Sequence, residues 1–152
     1  MPGASNGSGL KGFIMAEHDE QVAYFTWIRS YEAQYPLLKN IIAIPNAGKR
    51  EGYQGQWMVD EGLRAGVWDI FLAIPTDDAP GAWIEMKFGR NPLTDSQREW
   101  GEQQIELGYQ MIVCWTWLEA VSFTCKYLGL PADIDPTTDI PVKLRRQPKL
   151  KL

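Results

Sequence analysis

The sequence predicts an α/β fold, with a central mixed sheet covered by helices on both faces. Three observations lead there. Helix-like and strand-like periodicities alternate along the chain in the order α-β-(α)-β-β-α-β-α. Two segments, Thr94–Gln97 and Thr116–Glu119, have the form of capping boxes that open helices. Two strand-like runs are almost wholly apolar on both of their faces, as strands covered from both sides must be.

Residues 17–35 read as the first helix. Tyr24, Trp27, Ile28, Tyr31 and Tyr35 fall on one stripe at helical spacing, and Pro36 ends it. Projected backward, the stripe lands on Glu20, a carboxylate on the buried face of the first turn. Ile41–Ile44 is a short β-like run, followed by a loop containing Gly48, Gly52 and Gly55. Residues 56–65 read as a short helix with Gly66 as a left-handed cap. Val67–Ile74 and Ala82–Phe88 are the next strands, separated by a turn at Pro80-Gly81. A helix then runs from Thr94-Asp95 to about Leu107 and stops at Gly108; Gln110–Trp115 is a fourth strand. The last helix starts at Thr116 and ends at Gly129. The division is therefore a leader over 1–15, one domain over 16–130, and a proline-containing basic tail over 131–152.

Composition bounds the chemistry. At 152 residues and 45% apolar content, the chain is long enough for one continuous core, and seven tryptophans predict that it is rich in aromatic packing. No apolar run approaches the roughly 18 residues of a membrane helix. No secretory signal opens the sequence, so residence is expected to be cytoplasmic, with no membrane partner. Cys114 and Cys125 lie in different elements and are expected to be buried thiols. A single histidine, His18, leaves neither a histidine-based zinc site nor a Ser-His-Asp triad; it is expected at the surface.

Charge is uneven. Lys143, Arg145, Arg146, Lys149 and Lys151 leave the first 142 residues with 10 basic against 19 acidic groups, a net of −9. That is an acidic body for a chain that grips a phosphate backbone.

Three ionisable groups interrupt the apolar strands. Asp69 shares a face with Val67 and Phe71, opposite Trp68, Ile70 and Leu72; Glu85 and Lys87 share a face with Trp83. If the two strands are neighbours, Asp69, Glu85 and Lys87 converge. Two carboxylates about 4 Å apart repel by roughly 4 kcal/mol at an effective dielectric of 20. One lysine cannot offset three acids if Glu20 joins them, whereas a divalent cation can. Oxygen ligands without histidine favour Mg2+ or Mn2+. Such a site acidifies water and neutralises charge on a phosphate. Lys87 is placed to act on that water, the backbone carbonyl of Met86 is a candidate extra ligand, and Gln97 can hold a phosphate or a water.

At this point the sequence resembles the PD-(D/E)xK nucleases, and in finer pattern their VRR-NUC (virus-type replication-repair nuclease) branch. The matching residues are Glu20-Gln21, Ile44-Pro45-Asn46-Ala47-Gly48-Lys49-Arg50, Gly62–Asp69, Ile84-Glu85-Met86-Lys87 and Thr94-x-x-Gln97, which together cover about residues 17–125. The resemblance implies a restriction-endonuclease-like αβββαβ core, with metal held by Glu20, Asp69 and Glu85, Lys87 catalytic and Gln97 supporting. It also implies a homodimer that cuts branched DNA such as four-way junctions. Trp68 stands where that pattern commonly has proline.

Each residue also has a plainer reading. Glu20 can serve the helix dipole while Asp19 takes its ligand role, and Gln97 can simply complete a cap. Asn46, Lys49 and Arg50 are read as a DNA-gripping loop, with Arg90 and Arg98 as further phosphate contacts; ordinary surface is the alternative. For the chain as a whole, the alternatives are a non-catalytic nucleic-acid-binding or assembly module on the same fold, or an RNase H-type phosphotransferase. The latter places strands before its first helix, which this chain does not.

Overall fold

The computed structural model describes residues 17–45 and 53–137. Asn46, Lys49 and Arg50, the leader and the basic residues from Lys143 onward lie outside the described residues.

Among the described residues, four α-helices and four strands follow in the order α1 (Glu17–Tyr31), β1 (Ile41–Ala43), α2 (Tyr53–Asp60), β2 (Ile70–Leu72), β3 (Ala82–Met86), α3 (Asp95–Glu106), β4 (Gln110–Cys114) and α4 (Trp117–Leu128). The strands form one sheet in sequence order. The pairings β1–β2 and β2–β3 are antiparallel, whereas β3–β4 is parallel and needs α3 as its crossover. This is the mixed, helix-flanked sheet that the periodicities predict.

Two cores lie on its two faces. On one, Tyr24, Trp27 and Ile28 of α1 and Ala120, Val121 and Cys125 of α4 pack over Ile70, Leu72, Ile84, Met86 and Cys114. The stripe read on the first helix is thus its buried face, and Tyr24 anchors it by a 2.6 Å hydrogen bond between its hydroxyl and that of Thr124. On the other face, Trp68, Trp83, Leu93, Met111 and Val113 pack with Phe71 and Trp100. Phe71 is the cross-strand partner of Trp83, and their rings stack with centroids 4.2 Å apart. Trp100, from α3, meets Trp83 edge-on at 4.6 Å. Both cysteines are free and buried, as expected. No helix among the described residues is long and apolar enough to cross a membrane.

Several boundaries differ from the sequence reading. The first helix ends at Tyr31, and Pro36–Asn40 forms a separate 3-10 turn. The second stops at Asp60. Its closing glycine is Gly62 at φ +102°, where Gly62 N–H donates to Val59 and Leu63 N–H to Met58. Gly66 is not a helix cap. At φ +86° it lies against the backbone of Ser96, and a Cβ there would collide with the Ser96 carbonyl group, whose carbon is 2.6 Å away. Positive φ and a collision with backbone act together, so Gly66→Ala is expected to cost about 3 kcal/mol or more, read as a lowered urea midpoint.

Trp68 also departs from simple alternation. It packs in the core under α3 and not with Ile70 and Leu72, because strand pairing begins only at Ile70 and residue 68 is free of the pleat. Its indole N–H donates to the Gln97 carbonyl at 2.9 Å, tying the first turn of α3 to the edge of β2. Beyond Gly129, the chain is still part of the packed body. Ile134 is 4% exposed, and its carbonyl accepts the Trp27 indole N–H at 2.9 Å.

Candidate active site

The β2–β3 register pairs Ile70 with Ile84. Continued by one step, it sets Asp69 opposite Glu85. Side chains replace the ladder there: Asp69 N–H donates to Glu85 Oε2 at 3.2 Å, and Met86 N–H donates to Asp69 Oδ2 at 3.0 Å. Each carboxylate therefore fixes the backbone of the strand opposite, which holds both acids at the sheet end in one conformation.

Lys87 and Gln97 complete the group. Lys87 continues past β3, its N–H bonded to the Cys114 carbonyl at 2.8 Å, and its side chain turns back so that Nζ lies 3.3 Å from Glu85 Oε1. Gln97 bridges the two: its Nε2 donates to Glu85 Oε1 at 2.6 Å, and its Oε1 accepts from Lys87 Nζ at 2.8 Å. The same Oε1 accepts Thr94 N–H at 3.0 Å, while the Thr94 hydroxyl accepts Gln97 N–H at 3.2 Å. Gln97 therefore completes the helix cap and also bridges Glu85 and Lys87, and the cap aims its amide at the cluster. Thr94→Ala is expected to cost about 1 kcal/mol of stability, with Thr94→Ser restoring it; chemical denaturation of the three proteins checks this.

Burial is severe for charged groups: Glu85 is 1% exposed, Lys87 7% and Asp69 8%. Desolvation, and next the neighbouring Asp69 charge, push the Glu85 carboxyl up to about 8 from its ordinary 4.5, against the opposing pull of Lys87. Burial and Asp69 thus hold Glu85 largely as the neutral acid at neutral pH, and its ionised form calls for a further positive charge beside the pair.

Glu20 is buried as expected, but its carboxylate goes elsewhere. Oε2 accepts the N–H of Trp117 at 2.7 Å, in the first turn of α4. The buried face of α1 meets α4, so at this position it supplies a helix with an anion. Among the described residues, no three His, Cys, Asp or Glu side chains are grouped to hold a metal ion, so the trio expected from the sequence is here a pair. Arg90 is exposed beyond β3 and Arg98 half-buried on α3, while His18 is exposed.

Sequence reasoning missed two things. One is the indole of Trp68, which holds Gln97 through its backbone; it was legible only as a bulky residue where the family pattern has proline. The other is a cleft of about 410 Å³ between α1 and β1, lined by residues including Val22, Phe25, Arg29 and Ile44, with Asp69 in its wall. Of the stripe of α1 that forms it, only Gln21 belongs to the matching residues, and nothing in their spacing indicates a cleft.

No protein-family model matches the chain. No curated protein matches it either. Among solved structures, it is similar to one described as a VRR_NUC domain protein, at 24% identity and a TM-score of 0.63, over 77% of this chain and 91% of that one. A likeness spanning most of both chains agrees with the resemblance carried by the motifs: this chain has the VRR_NUC type of fold.

Proposed function

We propose that the chain is a metal-dependent endonuclease that hydrolyses DNA phosphodiester bonds. The observation that carries this reading is the interlocked group of Asp69, Glu85, Lys87 and Gln97 at one end of the sheet. Two buried carboxylates facing each other across a strand pair, with no thiol or imidazole between them, suit a hard divalent cation. Asp69 and Glu85 would hold Mg2+ or Mn2+, with the Met86 carbonyl as a further donor and water filling the remaining positions. Bound there, the ion supplies Lewis acidity to a phosphate oxygen and to the attacking water.

The chain's own groups do the rest. Lys87, held by Gln97 and Glu85, is oriented as an ammonium to contact the scissile phosphate and, after giving up a proton to solvent, to take one from the attacking water. Water oxygen bonds to phosphorus as the bond from phosphorus to the leaving sugar oxygen breaks. Gln97 keeps the lysine amine from collapsing fully onto Glu85. Arg90, Arg98, Lys49, Arg50 and Asn46 are proposed phosphate and strand contacts. Branched DNA is the proposed substrate. A homodimer is proposed because a four-way junction needs two paired cuts and a two-fold axis supplies them. Light scattering at micromolar concentration should give twice the chain mass, and a monomer would exclude that arrangement.

The deciding experiment is a panel of labelled duplex, flap, splayed and four-way DNA, with and without magnesium or manganese. Cleavage confined to metal-containing reactions, and lost in folded Glu85→Gln protein, supports the reading; metal-independent cutting overturns it. A non-catalytic DNA-binding module is favoured by one observation, the engagement of Glu20 with Trp117. Calorimetry that detects no magnesium or manganese binding would select it.

A further inference from the structure

The cleft beside the carboxylates has a composition that phosphodiester hydrolysis alone does not require. Along α1, His18, Gln21, Val22, Phe25 and Arg29 recur at helical spacing and face it, with Ala43 and Ile44 of the β1 edge opposite. Its middle is apolar. Val22 is 48% exposed, and Phe25, which packs on one side against the core and edge-on to Tyr24, is only half-buried. Its ends are polar, with Glu17, His18 and Gln21 toward the amino end of the stripe and the Arg29 guanidinium toward the other, which leaves Arg29 as the cation that can take a phosphate. Asp69 lines the same cleft.

We infer that this cleft receives a single unpaired nucleotide next to the scissile phosphate, its base between Phe25 and Ile44 and its phosphate against Arg29. The inference rests on the nuclease reading, since Asp69 is what makes the cleft adjoin the reacting bond. A volume of about 410 Å³ is at the small end of ligand sites and admits one nucleotide, not a base pair. A base entering an aromatic and aliphatic slot must leave its stack, which is least costly where it is already unpaired. Such a substrate has a single-stranded arm or branch point at the cut. Stacking on an aromatic ring also supplies affinity that does not depend on basic charge. That suits a chain whose first 142 residues carry a net charge of −9.

The test walks one abasic residue through the unpaired arm of a dye-labelled splayed duplex. Binding to the full chain is read by fluorescence anisotropy in the presence of a chelator. One position beside the junction is expected to bind about tenfold more weakly when abasic, as loss of one stacked base predicts. In Phe25→Leu, which preserves apolar bulk, the intact oligonucleotide should bind as weakly as the abasic one, and the dip should vanish. Phe25→Ala should behave in the same way. Arg29→Ala should weaken every oligonucleotide alike while keeping the dip. A flat profile in the wild-type chain, or a dip that survives Phe25→Leu, overturns the inference. Cleavage of the same oligonucleotides in magnesium is scored separately, so a flat profile with active cutting rejects only the cleft, whereas no cutting at all rejects the nuclease reading.

Discussion

Lys87→Ala protein is expected to fold and to cleave DNA at least about 10³-fold more slowly than the parent, the range in which a positioned proton-transfer group contributes. The amine is only 7% exposed and is held on two sides, by Gln97 at 2.8 Å and Glu85 at 3.3 Å. It cannot be replaced by solvent in the same place. Removing it also deletes a charge that lowers the Glu85 carboxyl, so the remaining acid becomes still harder to ionise. Lys87→Arg retains charge but not shape, because a planar guanidinium cannot share the Gln97 carbonyl as a compact ammonium does. It should recover little activity. Single-turnover cleavage under saturating protein, with circular dichroism to verify folding, separates lost chemistry from lost binding. Undiminished cutting by folded Lys87→Ala protein would sink the proposed mechanism.

A second large effect is expected from pH. In the metal-free chain the Glu85 carboxyl sits at about 8, above its ordinary value of 4.5. A group with a raised folded-state value stabilises the native state fully below the unfolded value and loses that contribution as pH rises through the folded one. Metal-free protein should therefore weaken between about pH 4.5 and pH 8, by an amount on the order of several kcal/mol at the alkaline end. Glu85→Gln keeps the shape and removes the titration. The variant should be flat across that window and more stable than the parent above pH 8. Magnesium or manganese should restore the parent but not the variant, with about one proton released per site at neutral pH, because the cation needs the ionised carboxylate. Thermal melts across pH with chelator or metal, plus calorimetry in two buffers of different ionisation enthalpy, read both effects. Identical pH profiles for parent and Glu85→Gln would refute this account.

Much of the fold is legible in local pattern because local physics sets it. The stripe Tyr24–Trp27–Ile28 is buried at helical spacing, and the capping box at Thr94 forms with both of its hydrogen bonds. Gly129 closes α4 in the left-handed conformation. Alternation within β3 puts Glu85 with Trp83 and away from Ile84 and Met86, which is where they lie. The misses come from the same source. Glycine spacing alone could not tell the cap at Gly62 from the close approach at Gly66, since both need positive φ and only the second has another helix against it.

What the sequence by itself determined was the kind of each element and the face on which each chemical group would stand. A face says only that a side chain turns inward, whereas its partner is chosen by packing between segments far apart in the chain. Tertiary structure alone set Asp69 across from Glu85, because one step of register between β2 and β3 decides it. It sent Glu20 to the Trp117 N–H, 97 residues away, where an orphan helix donor was the nearer claim on a buried carboxylate. It also opened the cleft between α1 and β1, whose walls come from segments far apart in the chain.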